Sequence, residues 1–351
     1  MRRGLAARAE SLLARHWWRE RPSLLMRLLQ PLSLLYGWLA ERQRRRIQPQ
    51  RAPVPVLVVG NFIAGGAGKT PAVIALVHAL QNAGHRPGVL SRGFGRQGDG
   101  VRAVRRGDTA AEVGDEPLLI QRRTGAPVWV GRQRVEAARA LCTAQPEVDV
   151  LVSDDGLQHH ALAPDAALVV FDDRGAGNGL LLPAGPLREP LPRQWPPRMR
   201  VLYTGSRVST ALPGVLAQRR ITHAWPLAAW LAGDAQQALP LATLQGRQLV
   251  AAAGLAAPEK FFGMLEAAGL RFERLPLPDH FSFHTLPWPA TSTDVLVTEK
   301  DAVKLQPLQP SQPLQPLQAG STRVWVVPLD FQVPAALIAD LSALLFTPNS
   351  P

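Results

Sequence analysis

Between residues 54 and 71 the chain reads VPVLVVGNFIAGGAGKTP: a short β-branched run, a glycine-rich loop and the opening of an apolar-periodic stretch. No other segment restricts the fold as strongly. Pro55 to Val59 predicts a buried strand and Ala72 to Ala83 a helix. A loop in that position turns backbone N–H groups toward phosphate oxygens and sets the anion at a helix N-terminus. Gly65, Gly66, Ala67 and Gly68 form the cradle, Lys69 reaches the β- and γ-phosphates, and Thr70 offers a hydroxyl to Mg2+. The spacing departs from GxxxxGK[ST], because Ile63 stands where the first glycine belongs and Gly60 lies three positions earlier. A glycine turn that merely joins strand to helix leaves the lysine and the Lys-Thr order unexplained. The segment therefore reads as a nucleoside triphosphate site.

Such a site needs a metal-orienting acid at the end of a second strand. Asp149 to Ser153 predicts that strand, and it ends in Asp154 and Asp155. A rival pair, Asp172 and Asp173, ends the apolar run Ala166 to Phe171. The first pair is preferred as the metal site, with Thr70, because Gln158, His159 and His160 place further polar groups beside it.

Strand and helix patterns alternate from about residue 54 to 204, with a helix expected over 115–124, and imply a parallel sheet covered on both faces. A second, smaller α/β set follows from about 222. The expected division is 1–50, 51–222 and 223–351. Leu305 to Gln318 is a Leu-Gln-Pro run that reads as a surface insertion with no site role.

The formal charge of +12 is concentrated at one end, since residues 1–51 hold twelve arginines against Glu10, Glu20 and Glu41. Ser23 to Ala40 is apolar, and as helix its eighteen residues would reach about 27 Å, but Arg27 and Pro31 interrupt it. Flanked by Trp17, Trp18 and the arginines of 42–46, it reads as an amphipathic interfacial helix on an anionic membrane surface. The alternative is a helix packed on the protein's own core. No nucleic-acid module accompanies the basic arm, and no small-x-small cleavage site follows the apolar run. The single cysteine, Cys142, excludes an intramolecular disulfide framework and a CxxC metal or redox site. Only four lysines occur among 39 basic residues, at 69, 260, 300 and 304, so each invites a reason.

The ordered blocks VPVLVVGNFIAGGAGKTP (54–71), PGVLSRGFGR (87–96), VGDEPLLIQRRTGAPVWVGRQRVEAA (113–138), DVLVSDDGLQHH (149–160), GNGLLLPAGPLREP (177–190), LPDHFSF (277–283) and VLVTEKDAVK (295–304) resemble the tetraacyldisaccharide 4'-kinases of lipid A biosynthesis in Gram-negative bacteria. The shifted glycine loop is itself what that family looks like. The resemblance implies transfer of the ATP γ-phosphoryl group, with Mg2+, to the 4'-hydroxyl of a lipid disaccharide 1-phosphate. It implies a P-loop kinase-like parallel-sheet domain, a smaller α/β domain across a cleft, and an N-terminal amphipathic helix. The enzyme would sit, peripherally or monotopically, at the cytoplasmic face of the inner membrane, with no obligate protein partner. Asp115 matches the position of the base that takes the hydroxyl proton, and His280 the histidine paired with it. Read from the residues alone, Asp115 could simply start a helix and His280 be a loop histidine. The resemblance implies substrate contacts for Arg92, His159, Arg188 and Glu189. It is broken at Phe281, where the family often carries a second histidine. Thr298 to Asp301 reads either as a solvated turn or as part of the site.

Three other readings remain at this point. A membrane-associated partitioning or positioning ATPase would carry its signature lysine before the two glycines, where this chain has Ala64. A soluble small-metabolite kinase would need no Trp/Arg-rich arm. A membrane-tethered nucleotide-binding scaffold would use Lys69, Thr70 and Asp154 without turnover.

Overall fold

The computed structural model describes residues 15–19, 21–305 and 322–347. The first fourteen residues of the basic arm and the Leu-Gln-Pro run from 306 onward lie outside the described residues. The chain divides into two compact units: Met1–Arg92, Gln133–Gln218 and Val333–Pro351 form one, and Gly93–Arg132 with Arg219–Gln332 the other. The units are interleaved along the sequence, where the reading above set contiguous stretches.

In the first unit the strands lie in the order Pro87–Ser91, Val150–Asp154, Val56–Gly60, Ala166–Phe171, Met199–Tyr203, Val215–Leu216, and every neighbouring pair is parallel. Every residue of the first four of these strands is buried, which is why they read as continuous apolar runs without alternation. Val59 is in register with Asp154 on one side and with Leu168 on the other. The glycine loop and both acid pairs therefore leave the sheet at its carboxyl ends, where open α/β sheets bind ligands. Helix Lys69–Asn82 buries Ala72, Val73, Leu76, Val77 and Leu80. The C-terminal helix Ala335–Phe346 buries Leu337, Leu341 and Leu345, the four-residue spacing of one helical face.

The N-terminal segment is two helices, Leu24–Leu28 and Gln30–Arg45. Pro31, expected to kink one span, sits in the first turn of the second helix, where its missing N–H costs nothing. Leu24, Leu28, Leu34 and Trp38 are exposed, whereas Met26 and Ser33 are the residues that these helices bury. Among the described residues no helix is long and apolar enough to cross a membrane.

The second unit has its own sheet, ordered Leu239–Pro240, His223–Pro226, Arg323–Val327, Asp294–Thr298, Leu249–Ala253, Glu273–Pro276. The last four strands are mutually parallel and the first two pair antiparallel. Phe261, Phe262 and Leu265 of helix Pro258–Ala267 pack into its core with Leu249, Leu296 and Trp325. Helix Asp115–Thr124, with the bounds read from the sequence, belongs to this unit.

Candidate active site

The phosphate loop is fixed from behind and open in front. Gly68 caps helix Lys69–Asn82 at φ +81°, a left-handed conformation that L side chains rarely adopt, and Gly66 has open space where a side chain would stand. Asn61 braces the turn: its amide donates to the Gly65 carbonyl at 3.2 Å and its oxygen accepts from Lys69 Nζ at 3.1 Å. Thr204 Oγ1 donates to the Ala67 carbonyl at 2.8 Å. Arg174 donates to the Gly66 carbonyl while its Nε grips both oxygens of buried Asp172. Its guanidinium lies 4.4 Å from the Trp18 ring centre.

The two acids at the end of Val150–Asp154 have different surroundings. Asp154 is buried and accepts from Ser91 Oγ at 3.2 Å, while Arg134 donates to its main-chain carbonyl at 3.3 Å. Asp155, at φ +48°, turns its carboxylate to Lys69 Nζ at 3.2 Å and to Arg188 at 3.3 Å. Burial would raise the Asp155 pKa, but these two cations outweigh it and hold the carboxyl below its ordinary value. The rival acids are engaged elsewhere, Asp172 by Arg174 and Asp173 by the Ser206 N–H and hydroxyl. Carboxylate and hydroxyl oxygens at Asp154, Asp155 and Thr70 are the donor chemistry that a hard cation takes. Among the described residues no group of three or more His, Cys, Asp or Glu can hold a metal alone. Mg2+ uses one or two carboxylates and draws the rest of its shell from phosphates and water.

The four residues expected at the acceptor separate into distinct contacts. Arg188 joins Asp155 and Gln158 Oε1. Glu189 pairs with His160 Nε2 at 3.0 Å, so Arg188 and Glu189 do not form the simple surface ion pair that their adjacency allows. Arg92 is exposed at the end of strand Pro87–Ser91. His159 has its pKa pushed down to about 4, first by burial and then by Arg134 and Arg92. It is therefore neutral at pH 7, able to hydrogen-bond a polar substrate without adding charge.

Asp115 and His280 come together within the second unit, although the sequence reading put Asp115 in the same domain as the phosphate loop. Gly114, at φ +95°, brings the chain so close to Gly93 that an added Cβ would lie 3.1 Å from its Cα. Asp115 then opens its helix, buried, with Oδ1 accepting from the Glu116 N–H and Oδ2 lying 2.9 Å from His280 Nδ1. His280 stands at φ +57° and tilts against the exposed ring of Phe94, 5.5 Å between centroids. Burial raises the Asp115 pKa, but the His280 hydrogen bond and the Lys300 charge bring it below its ordinary value. The same hydrogen bond raises His280. Phe281, at the place of a second family histidine, packs edge-on against Phe283 at 5.0 Å.

Sequence reasoning missed Asn61, Arg134 and Arg174 as contributors. Only Asn61 carried a signal, since it directly follows the strand. Arg134, buried, with burial pulling its pKa down to about 10, opens an ordinary amphipathic helix that gives no hint of its role.

The profile of the tetraacyldisaccharide-1-P 4'-kinase (LpxK) family matches residues 25–345. A tetraacyldisaccharide 4'-kinase of Methylibium petroleiphilum is 52% identical over 348 residues, covering 97% of this chain and 95% of that protein. One of Leptothrix cholodnii is 49% identical, covering 97% and 98%. The crystal structure of the "apo" form of LpxK from Aquifex aeolicus in complex with ATP superposes with a TM-score of 0.72 at 24% identity, covering 92% of this chain and 100% of that one. That likeness shows a shared fold.

Proposed function

The chain belongs to the tetraacyldisaccharide-1-P 4'-kinase family, and on that footing we propose that it transfers the γ-phosphoryl group of ATP to the 4'-hydroxyl of a tetraacyldisaccharide 1-phosphate, a step of lipid A biosynthesis. The observation that carries this reading is the Asp115–His280 pair, 2.9 Å apart. A nucleotide-binding scaffold or a partitioning ATPase has no use for a buried carboxylate with an imidazole on it, whereas a sugar hydroxyl needs its proton taken.

Phosphoryl transfer requires charge neutralisation and alignment more than covalent chemistry. Lys69 supplies positive charge at the helix N-terminus, and Asn61 and Asp155 hold its ammonium in place. Thr70 and Asp154 are the residues we assign to Mg2+, with Asp155 beside them orienting Lys69 and Arg188. When held there, the ion would supply neutralisation of phosphate charge. Asp115 accepts the hydroxyl proton, and His280 keeps its carboxylate aimed. Arg92 and neutral His159 contact the acceptor, and Arg188 and Glu189 order the residues behind it.

The exposed leucines and Trp38 of the N-terminal helices, next to Arg42 and Arg44 to Arg46, support contact with an anionic membrane surface, where a tetraacylated acceptor resides. This agrees with a peripheral or monotopic enzyme of the inner membrane.

The test is incubation of the full-length protein with γ-labelled ATP and Mg2+ against tetraacyldisaccharide 1-phosphate, a nucleoside monophosphate, a simple sugar, and no acceptor. Label should move to the lipid alone, and Lys69→Ala should lower kcat by about 100-fold or more. Phosphate release indifferent to the acceptor, or label on a small metabolite, would overturn the reading.

A further inference from the structure

The short turn that follows strand Asp294–Thr298 is pinned on several sides. Thr298 Oγ1 caps it by accepting from the Asp301 N–H and donates to Asp301 Oδ2 at 2.7 Å, and Asp301 Oδ2 also accepts from the Gly254 N–H at 3.0 Å. Glu299 is locked by Arg123 at 2.6 Å and by Trp230 Nε1 at 3.2 Å. With Glu299 and Asp301 buried, this stretch is not a solvated turn. Between them Lys300 points the other way. Its Nζ lies 3.2 Å from Glu116 Oε1, 3.9 Å from Asp115 Oδ2 and 3.9 Å from Asp279 Oδ1.

We propose that Lys300 is a positioning residue for the Asp115–His280 pair, its ammonium fixing the carboxylate and holding the pair in the form that can accept a proton. The inference rests on Asp115 being the proton acceptor. The other charged groups facing the pair are few. Glu116 adjoins Asp115 on the same helix, Asp279 adjoins His280, and Lys304 is drawn to Asp301 at 3.0 Å and lies over the Phe283 ring. Two carboxylates besides Asp115 converge on one ammonium, so the cluster without Lys300 would be three acids around an imidazole. Such a cluster binds protons more tightly, whichever member carries them. Lys300 depresses the proton affinity of both Asp115 and His280, which supports the geometric argument. Burial works against the charge on Lys300 itself, and the three carboxylates more than restore it.

The pH dependence of kcat at saturating substrates, measured on the full chain, tests this. Lys300→Met should move the midpoint of the acid limb up by about one pH unit or more, with kcat recovering toward the wild-type plateau at higher pH and KM for ATP unchanged. Lys300→Arg should restore the wild-type midpoint. Glu116→Gln, which removes a negative charge, should move it down. A role confined to folding would lower kcat equally at every pH and leave the midpoint in place, and that result overturns the proposal. If Lys300→Met fails to fold, unmoved midpoints in Lys300→Arg and Glu116→Gln do not rescue it: the Glu116→Gln shift must appear. Asp115→Asn and His280→Gln separate the two levels. Should both keep wild-type kcat, the reading of the pair itself fails. Should both lose activity while Lys300→Met keeps the wild-type profile, Lys300 alone is excluded.

Discussion

Asp115 is held from two directions, by the Glu116 N–H on one oxygen and His280 on the other. Under the proposed mechanism the incoming hydroxyl takes a lone pair that these contacts leave, and the two residues act as a unit. Asp115→Ala and His280→Ala should each cut kcat far more than they weaken ATP binding, and the double variant should cost much less than the product of the singles. Multiplicative losses in a double-mutant cycle would show two independent roles. His159 gives a second prediction. Its folded pKa of about 4 lies below the value of 6.5 expected for an unfolded chain, so between those values the unfolded state binds more protons. Its contribution to stability is full above pH 6.5 and lost as the pH falls toward 4. The loss is at most about 1.4 kcal/mol per pH unit, and less for a partly exposed ring. Urea midpoints of His159→Gln should fall less than wild type between pH 7 and pH 5, and parallel declines would contradict the assignment. At this scale the sequence was readable where chemistry demands a residue type, as at Lys69, whereas Asp155, read there as a metal ligand, turns its carboxylate to Lys69 and Arg188. The sequence was silent on Arg134 and Arg174, because an arginine used to brace a loop looks like any surface arginine until its burial is known.

The elements explain how the phosphate loop is steadied. Loop residues 178–188 lie between it and the helix Gln30–Arg45. On one side the Ala64 N–H donates to the Pro186 carbonyl at 2.8 Å and the Arg188 N–H to Phe62 at 2.7 Å. On the other, Ser33 Oγ donates to the Leu181 carbonyl at 2.9 Å and accepts from the Ala184 N–H at 3.0 Å, while Tyr36 donates to the Arg188 carbonyl at 2.9 Å. Gly37 permits this approach, since a Cβ there would meet Leu181 at 2.7 Å. Ser33→Ala should cost about 1–3 kcal/mol by leaving the buried Ala184 N–H without its acceptor, read as faster hydrogen exchange at Ala184. Unchanged exchange would mean that the helix is not what orders the loop. Helix Asp115–Thr124 was legible to the residue because Gly114 and Gly125, both at positive φ, bracket it. The phosphate helix begins at Lys69, three residues before the expected start, because Gly68 ends the loop. Strands His223–Pro226 and Leu239–Pro240 went unread, being too short to show alternation.

For the whole molecule, the sequence rhythm located two α/β units but not their membership. Gly93–Arg132 has the same strand and helix spacing as the segments around it, and which unit it joins is decided by tertiary contacts that local periodicity does not encode. The proposed membrane attachment likewise belongs to this scale. Leu34 and Trp38 are 73% and 56% exposed, and each arginine near an anionic surface adds about 1 kcal/mol of attraction. Leu34→Ser with Trp38→Ser leaves Ser33 and Tyr36 in place, so it should weaken binding to vesicles rich in anionic lipid while sparing transfer to acceptor in detergent micelles. Raising the salt should release much of the wild-type protein. Undiminished vesicle binding by the variant would place the membrane contact elsewhere. Phosphoryl transfer to one hydroxyl of a lipid disaccharide is read from the position of the new phosphate. Phosphorus–proton correlation spectra of the product made by the full-length enzyme should show a single new monoester on the 4' carbon, absent with Asp115→Ala. A phosphate at another hydroxyl, or at the existing 1-phosphate, would rule out transfer to the 4'-hydroxyl.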